Sequence, residues 1–261
     1  MSSHGSLLRP RGAVLAVLLA LFVAACGDEQ EGPVTPAPDA GADRARDAGP
    51  DSGTDAGTPD SGTDAGVRLS DPYADEVVSF APGESAGFGQ DRFPGVVLGA
   101  PVGVGPDNGS LDVLSLGRAG SITLRFTDVG VVDGPGVDLL VFENAFTFPS
   151  GGTFAETGAV SVSEDGATWR TFNCAATDVD AGYPGCAGVR TVQANPANGV
   201  SATDPAVAGG DSFDLATVGL ARARYVRITD SGANGYGGTS GGFDLDAVAV
   251  VNGEPLQGTS P

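Results

Sequence analysis

The sequence predicts an all-β domain of the β-sandwich or jelly-roll kind, and three observations carry that prediction. Nowhere do apolar residues recur at a 3.6-residue period across three helical turns. About eight short runs rich in Val, Ile, Leu, Phe and Tyr occur instead, several of them alternating apolar and polar side chains. Glycine, proline and aspartate turn signals separate these runs at close intervals, and the chain holds 42 glycines. A β-propeller would need a blade repeat of roughly forty residues, and none is found.

Residues 1–25 form the first element. Arg9 and Arg11 precede an apolar run from Ala13 to Val23, which ends in Val23-Ala24-Ala25-Cys26. The run is short for a membrane span and closes on small residues, as a cleavable signal peptide requires. The terminal motif resembles the lipobox of bacterial lipoproteins, which implies cleavage before Cys26, a diacylglycerol on its thiol, and export to an outer membrane or cell surface. Cleavage removes His4, the only histidine, and Met1, the only methionine. It takes the formal charge from −20 to −22, because the leader carries two arginines and no acid.

Residues 26–66 follow as a tether. From Gly27 to Gly66 there are ten acids, two arginines and almost no large apolar side chain, and Pro-Asp-Ser-Gly-Thr-Asp-Ala-Gly occurs at 50–57 and again at 59–66. Such a composition buries too little surface to offset the entropy of ordering, so the segment is expected to be disordered. A coil of this length spans roughly 35 Å root-mean-square, enough to hold a domain clear of a membrane.

Residues 67–261 make the β domain. Val77–Phe80 and Val96–Leu98 are short strand candidates. Leu111–Leu116 and Ser121–Phe126 flank Gly117-Arg118-Ala119-Gly120 and read as a hairpin, with Ile122, Leu124 and Phe126 pointing in. Asp138–Asn144 is apolar on both faces. Ala159–Ser163 and Thr168–Phe172, joined by Glu164-Asp165-Gly166-Ala167, read as a second hairpin. Asp214-Leu215 with Val218, Arg224–Thr229 and Phe243–Val251 complete the set. Read at period two, the last run places Asp244, Asp246, Val248 and Val250 on one face and Phe243, Leu245, Ala247 and Ala249 on the other.

Cys174 and Cys186 enclose a loop containing Gly182, Pro184 and Gly185, and in an exported chain two such thiols are expected to pair. In the loop-entropy picture a closure this small contributes a little under about 3 kcal/mol.

Composition removes several function classes. A surface this acidic repels nucleic acid and anionic headgroups while favouring divalent cations. The mature chain has neither histidine nor lysine, so serine-histidine and serine-lysine acyl transfer are excluded. A glycosidase needs only two carboxylates flanking a cleft, and Glu143, Glu156, Asp244 and Asp246 are the candidates for that alternative. No catalytic motif accompanies them, and the chain is expected not to be an enzyme.

The acids gather at predicted strand ends: Asp133 and Asp138 around a glycine-rich turn, Glu143 and Asn144 leaving one strand, Glu156 entering another, Asp214 beside a turn, and Asp244 and Asp246 opening the last strand. Calcium takes roughly six to eight oxygen ligands from such groups, although no EF-hand frame is present. Aspartates beside glycine can equally cap turns by accepting backbone N–H bonds. Trp169, Tyr183 and Tyr236 can stack on sugar rings, the two tyrosines lying in glycine-rich loops and Trp169 at a position where a core role competes. Arg224 and Arg227 can grip an acidic ligand or pair with neighbouring carboxylates.

Ser121–Phe126, Val160–Trp169, Arg224–Asp230 and Phe243–Val248 together resemble the galactose-binding-like, or discoidin-like, jelly roll. Val141–Asn144, Phe154–Glu156, Ala208–Ala216 and the closing strand are similar to a group of uncharacterised bacterial cell-surface lipoproteins. The resemblance spans most of residues 71–252 and implies a jelly-roll fold with a structural calcium between loops. The expected function is a surface-anchored binding or adhesion module for carbohydrate or another surface polymer. The alternatives are a carbohydrate-active hydrolase and a purely structural envelope protein.

Overall fold

The computed structural model describes residues 71–233 and 238–256. The leader, Cys26, the tether and Tyr236 lie outside the described residues. Strands dominate, and the only helical elements among the described residues are two 3-10 turns, Gly95–Val97 and Leu215–Val218.

Among the described residues fourteen strands occur in chain order. They are β1 (Glu76–Ala81), β2 (Leu114–Ser115), β3 (Ser121–Arg125), β4 (Val129–Val132), β5 (Leu139–Glu143), β6 (Phe146–Thr147) and β7 (Thr153–Phe154). After these come β8 (Gly158–Ser163), β9 (Arg170–Thr171), β10 (Asp211–Phe213), β11 (Arg222–Ala223), β12 (Tyr225–Asp230), β13 (Asp244–Val250) and β14 (Gly253–Pro255). All pairings are antiparallel. One sheet has five strands in the order β1-β3-β12-β8-β9, and a second has four in the order β10-β5-β13-β2. A three-stranded sheet, β11-β4-β14, and the β6-β7 ribbon complete the set.

The two larger sheets share one core, which makes the arrangement β-sandwich-like. Ile122, Leu124, Val160, Val162, Val226 and Ile228 from the five-stranded sheet pack with Leu139, Val141, Leu245, Val248 and Val250 from the four-stranded one. The far face of the four-stranded sheet is also covered. Leu140, Phe142, Ala247 and Ala249 meet Val192, Ala194, Ala202 and Ala208 from the connection before β10. That second cover explains why β5 is apolar on both faces: each buried Leu or Phe contributes roughly 1.5–3 kcal/mol, and no residue of the strand faces water. Gly210 fits against this layer at φ 69°, where an added Cβ would meet the Phe142 ring at 2.6 Å.

A bulge corrects the period-two reading of the closing strand. Leu245 pairs with Glu143 and Ala247 with Phe142, so Asp246 is an extra residue in the β13 ladder. Beyond it the faces exchange: Val248 and Val250 join Leu245 and Phe243 in the main core, while Ala247 and Ala249 turn to the second cluster. A pattern that counts by two cannot see an inserted residue.

Three further expectations are also corrected. The predicted hairpin around Gly117–Gly120 is a crossover between sheets, because β2 pairs with β13 and β3 with β1 and β12. Its backbone bonds go to a different segment, with Gly83 donating to the Leu116 carbonyl and Arg118 to that of Glu84. Val96–Leu98 is not a strand; Val96 and Val97 are buried in the first 3-10 turn, since a short apolar run suits either conformation. Asp214-Leu215 opens the second 3-10 turn, where Asp214 caps the start by accepting from the Ala216 N–H at 2.8 Å.

The second predicted hairpin is present as β8-β9. Asp165 closes it by accepting from the N–H groups of Ala167 and Thr168 and from the Ser163 hydroxyl. Cys174 and Cys186 form a disulfide with their Cα atoms 4.5 Å apart.

Candidate functional site

The eight acidic and amide residues expected to bind metal divide into three places. Asp133, Asp138 and Asp214 lie at the start of β5, where one oxygen from each falls within 4.8 Å of the others. Glu143, Asn144, Glu156 and Asp244 gather at the other end of that strand. Asp246 stands apart: its carboxylate accepts from the Val102 N–H at 3.1 Å, and its acidic neighbour is Asp112.

The first group is a donor-satisfied turn. Asp138 is fully buried, and it accepts from the Gly134 N–H at 2.9 Å, the Asn252 amide at 2.8 Å and the Leu215 N–H at 2.8 Å. These bonds occupy three of the roughly four lone-pair sites a carboxylate offers. They also tie the β5 entry to the second 3-10 turn and to the end of β13. This is the turn-capping chemistry that the sequence left open.

The second group is different in kind. Glu143 closes β5, and its register with Leu245 puts it on the core-facing side of the four-stranded sheet. It has no exposure, and neither carboxylate oxygen has a hydrogen-bond partner. Asp244, at 4% exposure, receives the Asn144 amide at 3.3 Å on one oxygen, while its other oxygen is buried without a partner. The Asn144 side-chain oxygen is likewise buried and unpaired. Glu156 enters from the segment ahead of β8, on the opposing sheet, and is 2% exposed.

Electrostatics in this group run against ionisation. Burial pushes Glu143 well above the ordinary carboxylate range, and Asp244, Glu156 and Asp211 add like-charge repulsion. Burial, then Asp244 and Asp230, raise Glu156 to about 8. Asp244 rises to about 6 through burial, offset in part by the nearby polar groups of Ser115 and Asn144. Neither Glu143 nor Asp244 pairs with an arginine among the described residues, whose ion pairs include Arg92–Asp112, Arg125–Glu76 and Arg222–Glu254. A buried unpaired carboxylate is costly unless it holds a proton or meets a cation.

Two flanking acids complete the surroundings. Asp211 accepts from the N–H groups of Gly188 and Val189 at 2.7 and 3.0 Å. Asp230, at the end of β12, was not singled out in the sequence. It accepts from Ala119, Gly232 and Phe243, fixing the entries to β3 and β13 around its own turn. The signal available was its place at the end of an alternating strand just ahead of a glycine.

Of the predicted ligand-stacking aromatics, the two among the described residues, Trp169 and Tyr183, lie on different segments. Trp169 is half-buried just before β9, with the Arg227 guanidinium 3.9 Å above its ring. Arg227 also donates to the Thr123 hydroxyl at 3.1 Å, across the outer face of the five-stranded sheet. Neither Arg227 nor Arg224 pairs with a carboxylate among the described residues, so the pairing expected for them is not formed. Tyr183 is half-buried in the disulfide loop, at φ 54°.

No protein-family model matches the chain, and no curated protein matches it either, so its functional reading rests on these residues.

Proposed function

We propose that the protein is a surface-anchored lipoprotein whose jelly-roll domain is a non-catalytic, calcium-stabilised binding or adhesion module. Its ligand is carbohydrate or another surface polymer. The lipid on Cys26 holds it to an outer membrane or cell surface, and the acidic tether sets the domain at a distance. The discoidin-like sequence features support the jelly-roll assignment, and the antiparallel sheets on a shared core agree with it.

One observation carries the preference over a hydrolase. Glu143, Glu156, Asp244 and Asp246 are all at most 4% exposed. A glycosidase must bring two carboxyl groups against the glycosidic bond of a bound polymer. Buried acids suit a structural ion, whereas ligand contact falls to the loops and to the outer sheet face around Trp169 and Arg227.

A glycan array probed with the full chain in detergent micelles, with calcium present, tests the reading. Retention of particular glycans without release of reducing sugar is expected. Sugar release, or no retention on any glycan, contradicts it.

A further inference from the structure

We infer that Glu143, Asn144, Glu156 and Asp244 are the seat of one divalent cation of the calcium class. The ion ties the ends of the two main sheets together. This inference rests on the proposal that the module is calcium-stabilised and assigns the residues responsible.

Four buried oxygen atoms without partners belong to residues at one end of the sandwich: both carboxylate oxygens of Glu143, one of Asp244, whose other oxygen accepts from the Asn144 amide, and the side-chain oxygen of Asn144. Buried polar atoms in folded proteins are overwhelmingly hydrogen-bonded, so four orphans on these neighbouring residues call for a ligand. All are acceptors, which rules out another acceptor as that ligand and demands a donor or a cation. Glu156, the third carboxylate, comes from the opposing sheet and is an electrostatic neighbour of Asp244. The set is made of oxygen alone, as calcium prefers, whereas zinc favours nitrogen and sulfur. Magnesium keeps several waters and near-octahedral geometry, which a fully buried glutamate beside core residues accommodates poorly.

The tighter cluster, Asp133, Asp138 and Asp214, is the competing seat. Its oxygens stand closer together, yet Asp138 already accepts three hydrogen bonds and Asp214 caps a 3-10 turn. Spacing favours that cluster and unmet acceptor capacity favours the other. Unmet capacity decides, because carboxylate side chains can rotate toward an ion, while backbone donors already bound must be given up to make room for one.

Thermal unfolding of the full chain at pH 7.5, with chelator, calcium or magnesium, tests both levels. With calcium about a hundredfold above its Kd, a rise in Tm of about 5–10 °C is expected for the wild type. Magnesium should give a smaller rise. Glu143→Gln and Asp244→Asn should each lose the calcium response, and the Asp133→Asn/Asp214→Asn double variant should keep it. A wild type indifferent to calcium and chelator overturns the calcium reading itself. A response kept in Glu143→Gln and lost in the Asp133/Asp214 variant overturns the seat alone. Should Glu143→Gln fail to fold, equilibrium dialysis of the Asp133/Asp214 variant decides: one calcium per chain is expected, and none overturns the assignment.

Discussion

Glu143 sits directly across the β5-β13 ladder from Leu245, so a carboxylate occupies a position whose same-face neighbours, Leu139, Val141 and Val248, belong to the main core. Replacing it with an apolar side chain of similar length removes the cost of burying an unpaired charge. Glu143→Met is therefore expected to be more stable than the wild type in chelator at pH 8, by about 1–4 kcal/mol. It should also be insensitive to calcium. Urea unfolding of both proteins, with and without chelator, reads the difference.

The bulge at Asp246 sets which side of β13 faces which core. Deleting that one residue leaves Leu245 followed directly by Ala247, and a regular ladder then keeps Val248 and Val250 on the Leu245 side and Ala247 and Ala249 on the other. The deletion should therefore still unfold cooperatively, destabilised by the loss of the acceptor for the Val102 N–H. Asp246→Asn, which keeps the residue and an acceptor for that N–H, should be the more stable of the two. Calorimetry of the two variants separates the loss of the bulge from the loss of the carboxylate.

Asp165 is pulled down from 3.8 to about 2 by the N–H bonds of Thr168 and Ala167 and by the Ser163 hydroxyl. A lowered folded-state pKa means that its stabilisation is complete above the unfolded value near 3.8 and is lost as pH falls through about 2. The Tm gap between the wild type and Asp165→Ala should therefore be widest at neutral pH. It should begin to narrow below about pH 4 and be smallest near pH 2. A gap independent of pH would mean that the β8-β9 turn does not depend on the ionised side chain.

Trp169 is the only tryptophan, so its fluorescence reports on one site, where the Arg227 guanidinium lies over the ring. Arg227→Ala should change the emission maximum and cost about 0.5–1 kcal/mol, as expected for a half-exposed cation–π pair. The same variant should weaken any glycan retained in the array, if the outer face of the five-stranded sheet takes part in binding. Unchanged emission would show that the guanidinium does not rest on the ring in solution.

The sequence made much of this domain readable where one residue's environment follows from its own strand. The alternation of Ser121–Phe126 places Ile122, Leu124 and Phe126 inward, as found. The doubly apolar run Leu139–Phe142 anticipated burial on both faces. What it hid depended on partners distant in the chain. The crossover at Gly117–Gly120 follows from bonds to Gly83 and Glu84, and the inserted Asp246 is visible only against Phe142 and Glu143. The acids show the same limit. Seven of the eight metal candidates end up at or near strand ends or turns and Asp246 at the bulge inside β13, but which of them are spent on N–H donors depends on residues such as Leu215 and Asn252 that carry no signal of the role.

Anomalous diffraction from crystals of the full chain grown in calcium bears most directly on the proposed ion. A single anomalous peak coordinated by Glu143, Asn144, Glu156 and Asp244 is the predicted result. A peak between Asp133, Asp138 and Asp214 instead, or no peak at either end of β5, would contradict it.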